Sequence, residues 1–182
     1  NIILNRNKLL KFACKNDNKN LVYYILSINK NKGNQIIDLS ISNQDFDVIK
    51  SLSFQNYDFE YLRNMAIFFA IINKNLNTLK YLGFQDNNFS IEHNDKDGIH
   101  NSNHLTVAVI KGDLEIVEYL LENNSNYKFD NYAPLRFACS NGNFEIAKKL
   151  IDTGSNVNAY NGWPLGLASE KGYYDIVKLL LE

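Results

Sequence analysis

The chain has 182 residues, 45% of them hydrophobic and 21% charged, with a net charge of -1 and a pI near 6.4. That length suits one ordinary domain or one short repeat array, and the apolar content is enough to bury a core and to exclude wholesale disorder. The near-neutral balance removes the global electrostatic argument for nucleic acid or an anionic membrane surface as partner, and no apolar run reaches the roughly 18 to 20 residues that cross a bilayer.

Taken from the amino terminus, Asn1-Ile2-Ile3-Leu4 lacks the basic leader and long apolar stretch of a signal peptide. Beyond it the chain repeats one pattern. The first copy runs from Phe12-Ala13 to Tyr24-Ile25-Leu26, the second from Leu39-Ser40 to Lys50-Ser51-Leu52, and the third from Phe69-Ala70 to Lys80-Tyr81-Leu82. The fourth is sharper, from His104-Leu105-Thr106-Val107-Ala108 to Tyr119-Leu120-Leu121. The fifth, from Pro134-Leu135-Arg136-Phe137-Ala138 to Lys149-Leu150-Ile151, and the sixth, from Pro164-Leu165-Gly166-Leu167-Ala168 to Leu179-Leu180-Leu181, share P-L-x-h-A-x-x-x-G-x-h-[ED]-I-h-K-x-L-h, where h is apolar or aromatic. The small residue falls at Ala13, Ser40, Ala70, Ala108, Ala138 and Ala168, spaced by 27, 30, 38, 30 and 30 residues. Self-similarity at such a period is the mark of a stacked repeat.

Each copy predicts two short helices. In the fifth, Leu135, Phe137 and Ala138 form one apolar face, and Phe144, Ile146, Ala147, Leu150 and Ile151 form a second at helical spacing. Gly142 suits a left-handed turn between them, and Pro134 and Pro164 suit a first helical turn, where the missing N–H has no partner to lose. Helices this short are not stable alone, so neighbouring copies must stack. Ile176, Val177, Leu179, Leu180 and Leu181 of the last copy require a further neighbour, and the sequence opens without Met. The expectation is a part of a longer protein.

These residues closely resemble the ankyrin repeat, with its T-P-L-H-x-A-A-x-x-G-H-x-x-I-V-x-x-L-L signature over about 33 residues. The Asn-, Ile- and Lys-rich composition, with 29 Asn, is similar to that of ankyrin proteins of large DNA viruses. The resemblance implies an all-α repeat solenoid: about six stacked helix-turn-helix units with short finger hairpins or loops. The units fall at about 5–31, 32–61, 62–91, 100–129, 130–159 and 160–182, in a single array with an insertion at about 92–99. Departures are informative. Ala133 and Trp163 replace the Thr before Pro, and the mid-repeat Gly becomes Asp17, Gln44 and Lys74 in the first three copies. Most fingers are about three residues short of the family's period.

The candidate chemistry is sparse. His93, His100 and His104 cluster around the insertion, but without framing Cys they read as a solvated finger insertion rather than a metal site. Asp95-Lys96-Asp97-Gly98 fails as a calcium loop, because the first and twelfth positions would be His93 and His104. Cys14 and Cys139 occupy one position of two distant copies, which reads as small core residues in a reducing, intracellular compartment, cytoplasmic or nuclear. No phosphate-binding glycine loop is present, and Asn161-Gly162 reads as a hairpin signal. No catalytic, cofactor or metal residues are assigned, and an enzyme or a small-molecule site is not expected. Asn158 resembles the finger Asn that asparaginyl hydroxylases modify, although the acid preferred two residues earlier is here Asn156.

By resemblance, a protein partner would be bound on the concave side, by finger tips and the exposed ends of the first helices. Trp163 is the only Trp and lies at a finger, with Tyr132, Arg136 and Tyr160 close by in the pattern. Aromatic residues and Arg concentrate interface energy. The expected contact patch is therefore Tyr132, Arg136, Ser140, Asn141, Tyr160, Trp163, Glu170 and Lys171, in a protein–protein scaffold or adaptor. The alternatives are the substrate-recruiting arm of a ubiquitin-ligase-type complex and a self-assembling structural spacer.

Overall fold

The computed structural model describes residues 59–85, 89–95 and 98–182. The first two predicted copies, with Ala13, Cys14, Asp17, Ser40 and Gln44, lie outside the described residues. The chain divides into two compact units, Asn1–Gly83 and Phe84–Glu182.

In the first unit the third copy forms α1 (Phe59–Ile72) and α2 (Leu76–Leu82). Ala66, Ile67, Ala70, Ile71 and Leu79 on them are buried. Asn75 caps α2, its side chain accepting from the Thr78 N–H at 3.0 Å. The turn joining the helices places Lys74 at φ 52, the left-handed position that glycine fills in the later copies. A lysine there carries the steric strain that Gly avoids.

The second unit opens with a β-hairpin, β1 (Ile91–Asp95) and β2 (Gly98–Ser102), antiparallel with His93 opposite His100 and Asp95 opposite Gly98. The insertion expected at 92–99 is therefore a paired finger whose second strand lies against the helices after it. Three helix pairs come next: α3 (His104–Lys111) with α4 (Leu114–Glu122), α5 (Phe129–Ser140) with α6 (Phe144–Asp152), and α7 (Ala159–Glu170) with α8 (Tyr174–Leu181). The core runs through all three. Leu105, Ala108, Ile116, Leu120, Leu135, Ala138, Leu150 and Ala168 are fully buried, so the repeated small and apolar positions do face neighbouring copies. Gly112 and Gly142, at φ 66 and 73, supply the left-handed turn between paired helices.

Polar side chains join the copies across this core. Asn103 caps α3: its Oδ1 accepts from the N–H and the hydroxyl of Thr106, at 2.9 and 2.7 Å. Its Nδ2 donates to the carbonyl of Asn126, 23 residues on, at 2.9 Å. Asn143 Nδ2 donates to the Val109 carbonyl at 3.3 Å. His104 is buried rather than solvated, stacked on Phe89 with centroids 4.8 Å apart and edge-on to Phe84 at 5.6 Å. The solvated-insertion reading therefore does not hold for His104. Its place at the start of α3 faces it inward, and the two rings supply the packing.

A candidate protein-binding surface

The fingers of the fifth and sixth copies are not hairpins. Asp130, Asn131 and Tyr132 lie at φ 44, 53 and 61, and Tyr160, Asn161 and Gly162 at φ 52, 60 and 78. Each is one turn of left-handed helix, closed by an N–H reaching back four residues. Tyr132 donates to the Lys128 carbonyl at 3.3 Å and Gly162 to that of Asn158 at 3.1 Å. The hairpin expected at Asn161-Gly162 is thus corrected. Both residues take the left-handed conformation the dipeptide favours, but no alternating strands flank it, and the 30-residue period leaves no length for them. Right-handed helix begins only after these turns, which places Pro134 and Pro164 in a true first turn, where proline is tolerated.

Left-handed backbone costs about 1–2 kcal/mol for each non-glycine residue. Asp and Asn tolerate it best because their short polar side chains bond locally, whereas Tyr132 and Tyr160 do not have that relief. Side-chain contacts offset the strain. Arg136, one helical turn into α5, folds back so that its Nη2 donates to the Asp130 carbonyl at 2.7 Å and to Asp130 Oδ2 at 2.8 Å. Its guanidinium carbon also lies 5.0 Å from the ring centroid of Tyr160 and 5.5 Å from that of Trp163. Those two rings stack with centroids 4.7 Å apart and planes 22° from parallel. Tyr132 turns to the other side, tilted against Tyr127 at 6.4 Å.

Arg136, Tyr160 and Trp163 therefore form one assembly that joins the fifth and sixth copies. Within it the roles divide. The Arg136 side chain is only 14% exposed, and its Nε is buried without an acceptor, so it is a strut. Tyr160 at 54% and Trp163 at 44% exposure form the outward plate. Asn141, Glu170 and Lys171 are exposed, and Ser140 is half-buried. Glu170 lies seven residues beyond Trp163 on α7, about 10 Å along the axis at 1.5 Å per residue. Asp130, the partner of Arg136, is a finger position of the repeat pattern but lies outside the expected contact patch. A signal for it exists: Asp130 opens the turn six residues before Arg136, where Tyr160 stands in the next copy.

Asn158 is exposed at the start of the left-handed turn. Its N–H donates to Asn156 Oδ1 at 3.0 Å, so Asn156, in the position of the expected acid, shapes the backbone here. Lys128 makes the same bond to Asn126 Oδ1 at 3.0 Å one copy earlier. Cys139 is a free thiol, fully buried in α5, and desolvation pushes its pKa up to about 12. Among the described residues, no helix is long and apolar enough to cross a membrane.

Paired short helices, repeated at 30 residues with a shared core, define a helical repeat protein. A family model for ankyrin repeats in three copies matches residues 37–131, 67–161 and 105–182, and the chain belongs to the ankyrin repeat family. Proteins of this family are generally protein–protein interaction modules and typically non-enzymatic. No curated protein matches the chain.

Proposed function

We propose that the chain is a protein-binding scaffold of the adaptor kind, whose contact surface centres on the Tyr160–Trp163 plate. The ends of the neighbouring helices, with half-buried Ser140 and exposed Asn141, Glu170 and Lys171, extend it. The observation that carries this reading is the plate itself: two large rings, roughly half-exposed, held stacked by a mostly buried arginine. Rigid aromatic surface loses little entropy on binding and excludes water well, which is how a few residues come to dominate an interface. Arg136 and Tyr132 belong to this reading as supports rather than as contacts. The Asn-, Ile- and Lys-rich composition, which resembles that of ankyrin proteins of large DNA viruses, fits an adaptor directed at another organism's proteins. Asn158, exposed beside the plate, is a candidate for hydroxylation within the same surface.

The test is affinity capture with mass spectrometry, comparing the chain with a Tyr160→Ala/Trp163→Ala variant that circular dichroism shows to be folded. A protein held by the parent and lost by the variant supports the reading. A protein held equally by both moves the surface elsewhere on the array. Self-association with no captured protein favours the structural spacer and refutes the adaptor.

A further inference from the structure

The 30-residue period sets each residue of the fifth copy beside a counterpart in the sixth. Tyr160 corresponds to Asp130, Gly166 to Arg136 and Glu170 to Ser140. In the fifth copy the arginine completes its own finger by donating to the carbonyl of the first left-handed residue. It reaches that carbonyl because the residue four positions on is Pro134, which has no N–H to offer. The sixth copy repeats the arrangement: the first left-handed residue is Tyr160, and the residue four positions on is Pro164. The arginine, however, is missing. Gly166 stands in its place, exposed on α7, and a Cβ added there would meet only Trp163 Cδ1, at 3.9 Å.

A glycine in an exposed helix interior is unfavourable and normally answers a need for space. Here the space is an open slot. By the 30-residue repeat the Tyr160 carbonyl corresponds to the Asp130 carbonyl that Arg136 reaches, the Trp163 indole borders the space through Cδ1 at 3.9 Å, and the exposed Glu170 follows one helical turn beyond Gly166. The acceptors and the ring face share one electrostatic preference, for a cation with several donors. We infer that the slot over Gly166 receives an arginine side chain from the protein partner, which takes the place that Arg136 fills within the preceding copy. This inference rests on reading the Tyr160–Trp163 plate as the binding surface. The guanidinium donates to the Tyr160 carbonyl and to Glu170, with its plane beside the indole. A lysine is the poorer occupant, because a single ammonium has no planar fork to serve a carbonyl, a carboxylate and a ring together.

Trp163 is the only Trp, so its indole N–H gives a single resonance in the ¹⁵N-labelled chain. The probe is acetyl-Gly-Gly-Arg-Gly-Gly-amide, titrated against the same peptide with citrulline in place of arginine. A saturable shift of that resonance is expected with the arginine peptide, and binding at least about tenfold weaker with the uncharged one. Gly166→Arg should abolish the response, since its own side chain fills the slot. Its unliganded indole resonance should move in the direction that the peptide produces in the parent. Glu170→Gln, exposed and harmless to the fold, should weaken binding severalfold. No saturable shift, an equal shift from the citrulline peptide, or undiminished binding by Gly166→Arg would each overturn the inference. The capture experiment separates it from the scaffold reading. A protein lost by Tyr160→Ala/Trp163→Ala but indifferent to Gly166→Arg leaves the scaffold standing and removes the arginine slot alone.

Discussion

Arg136→Ala removes four contacts at once. The bond from Nη2 to the Asp130 carbonyl is a charged donor on a neutral acceptor, contributing about 1.5–3 kcal/mol. The ion pair with Asp130 Oδ2 adds at most about 1 kcal/mol, because that carboxylate is 54% exposed. The two ring contacts add about 0.5–1 kcal/mol each. Against these stands the buried Nε without an acceptor, whose removal returns roughly 1 kcal/mol. The net expectation is a loss of about 3 kcal/mol. It falls on the fifth and sixth copies, because the arginine ties the turn of one to the rings of the other. Urea unfolding monitored by Trp163 fluorescence reads that region directly. Arg136→Lys keeps the charge but not the fork, and should recover only part of the loss. A loss below about 0.5 kcal/mol for Arg136→Ala, the usual range for a surface substitution, would refute the claim that this side chain braces a strained turn.

Gly142 and Gly172 hold the same left-handed position in successive copies, at φ 73 and 74, yet an added Cβ meets Tyr173 Cε1 at 2.7 Å in the first case and nothing within 4 Å in the second. Gly172→Ala should therefore cost about 1–2 kcal/mol from backbone strain alone, and Gly142→Ala more, by roughly 1 kcal/mol if the half-buried Tyr173 ring has to shift aside. Thermal unfolding compares them, and adding Tyr173→Ser to Gly142→Ala should close the gap. Equal losses would remove the steric argument. For Cys139, burial raises the folded pKa from 9.0 to about 12. The stability this contributes is present below pH 9 and declines as pH rises from about 9 towards 12, where an unfolded thiol ionises and the buried one does not. In a Cys14→Ser background, alkylation of Cys139 at pH 9 should be slow in the native chain and fast in urea. Rapid native labelling would show the site to be open.

The repeat is legible in the sequence because its signals are local and redundant. Ala108, Ala138 and Ala168 recur in phase, and all three are fully buried where neighbouring copies must approach. Gly142 signals a left-handed turn because glycine alone meets that steric demand without strain, and its φ is 73. The candidate surface is legible in membership but not in role. Arg136, Tyr160 and Trp163 all have the character of exposed interface residues. The fold brings them together, yet turns the arginine inward, onto a carbonyl that Pro134 leaves without its usual donor. Nothing local to Arg136 announces this, because it depends on the backbone of Asp130 and on rings 24 and 27 residues further on. The left-handed fingers escape the sequence for a related reason. Asn161-Gly162 specifies the sign of φ but not the structure on either side, and the same dipeptide serves a hairpin where strands flank it. His104 shares a polar segment with its neighbours, although its position in the repeat pattern marks the start of a buried helix.

The left-handed fingers also bear on how the protein survives among proteases. In any solenoid the loops between helix pairs are the exposed tips where cleavage concentrates. A protease takes its substrate as an extended strand, pairing main chain to main chain within its cleft. At 130–132 and 160–162 the exposed chain is wound the opposite way to any strand, and Arg136 and the Tyr160–Trp163 stack hold it so. Cleavage there requires the turn to unwind first and to release the contacts that join the two copies. These exposed turns are thereby segments whose scission is tied to the release of the contacts between the two copies.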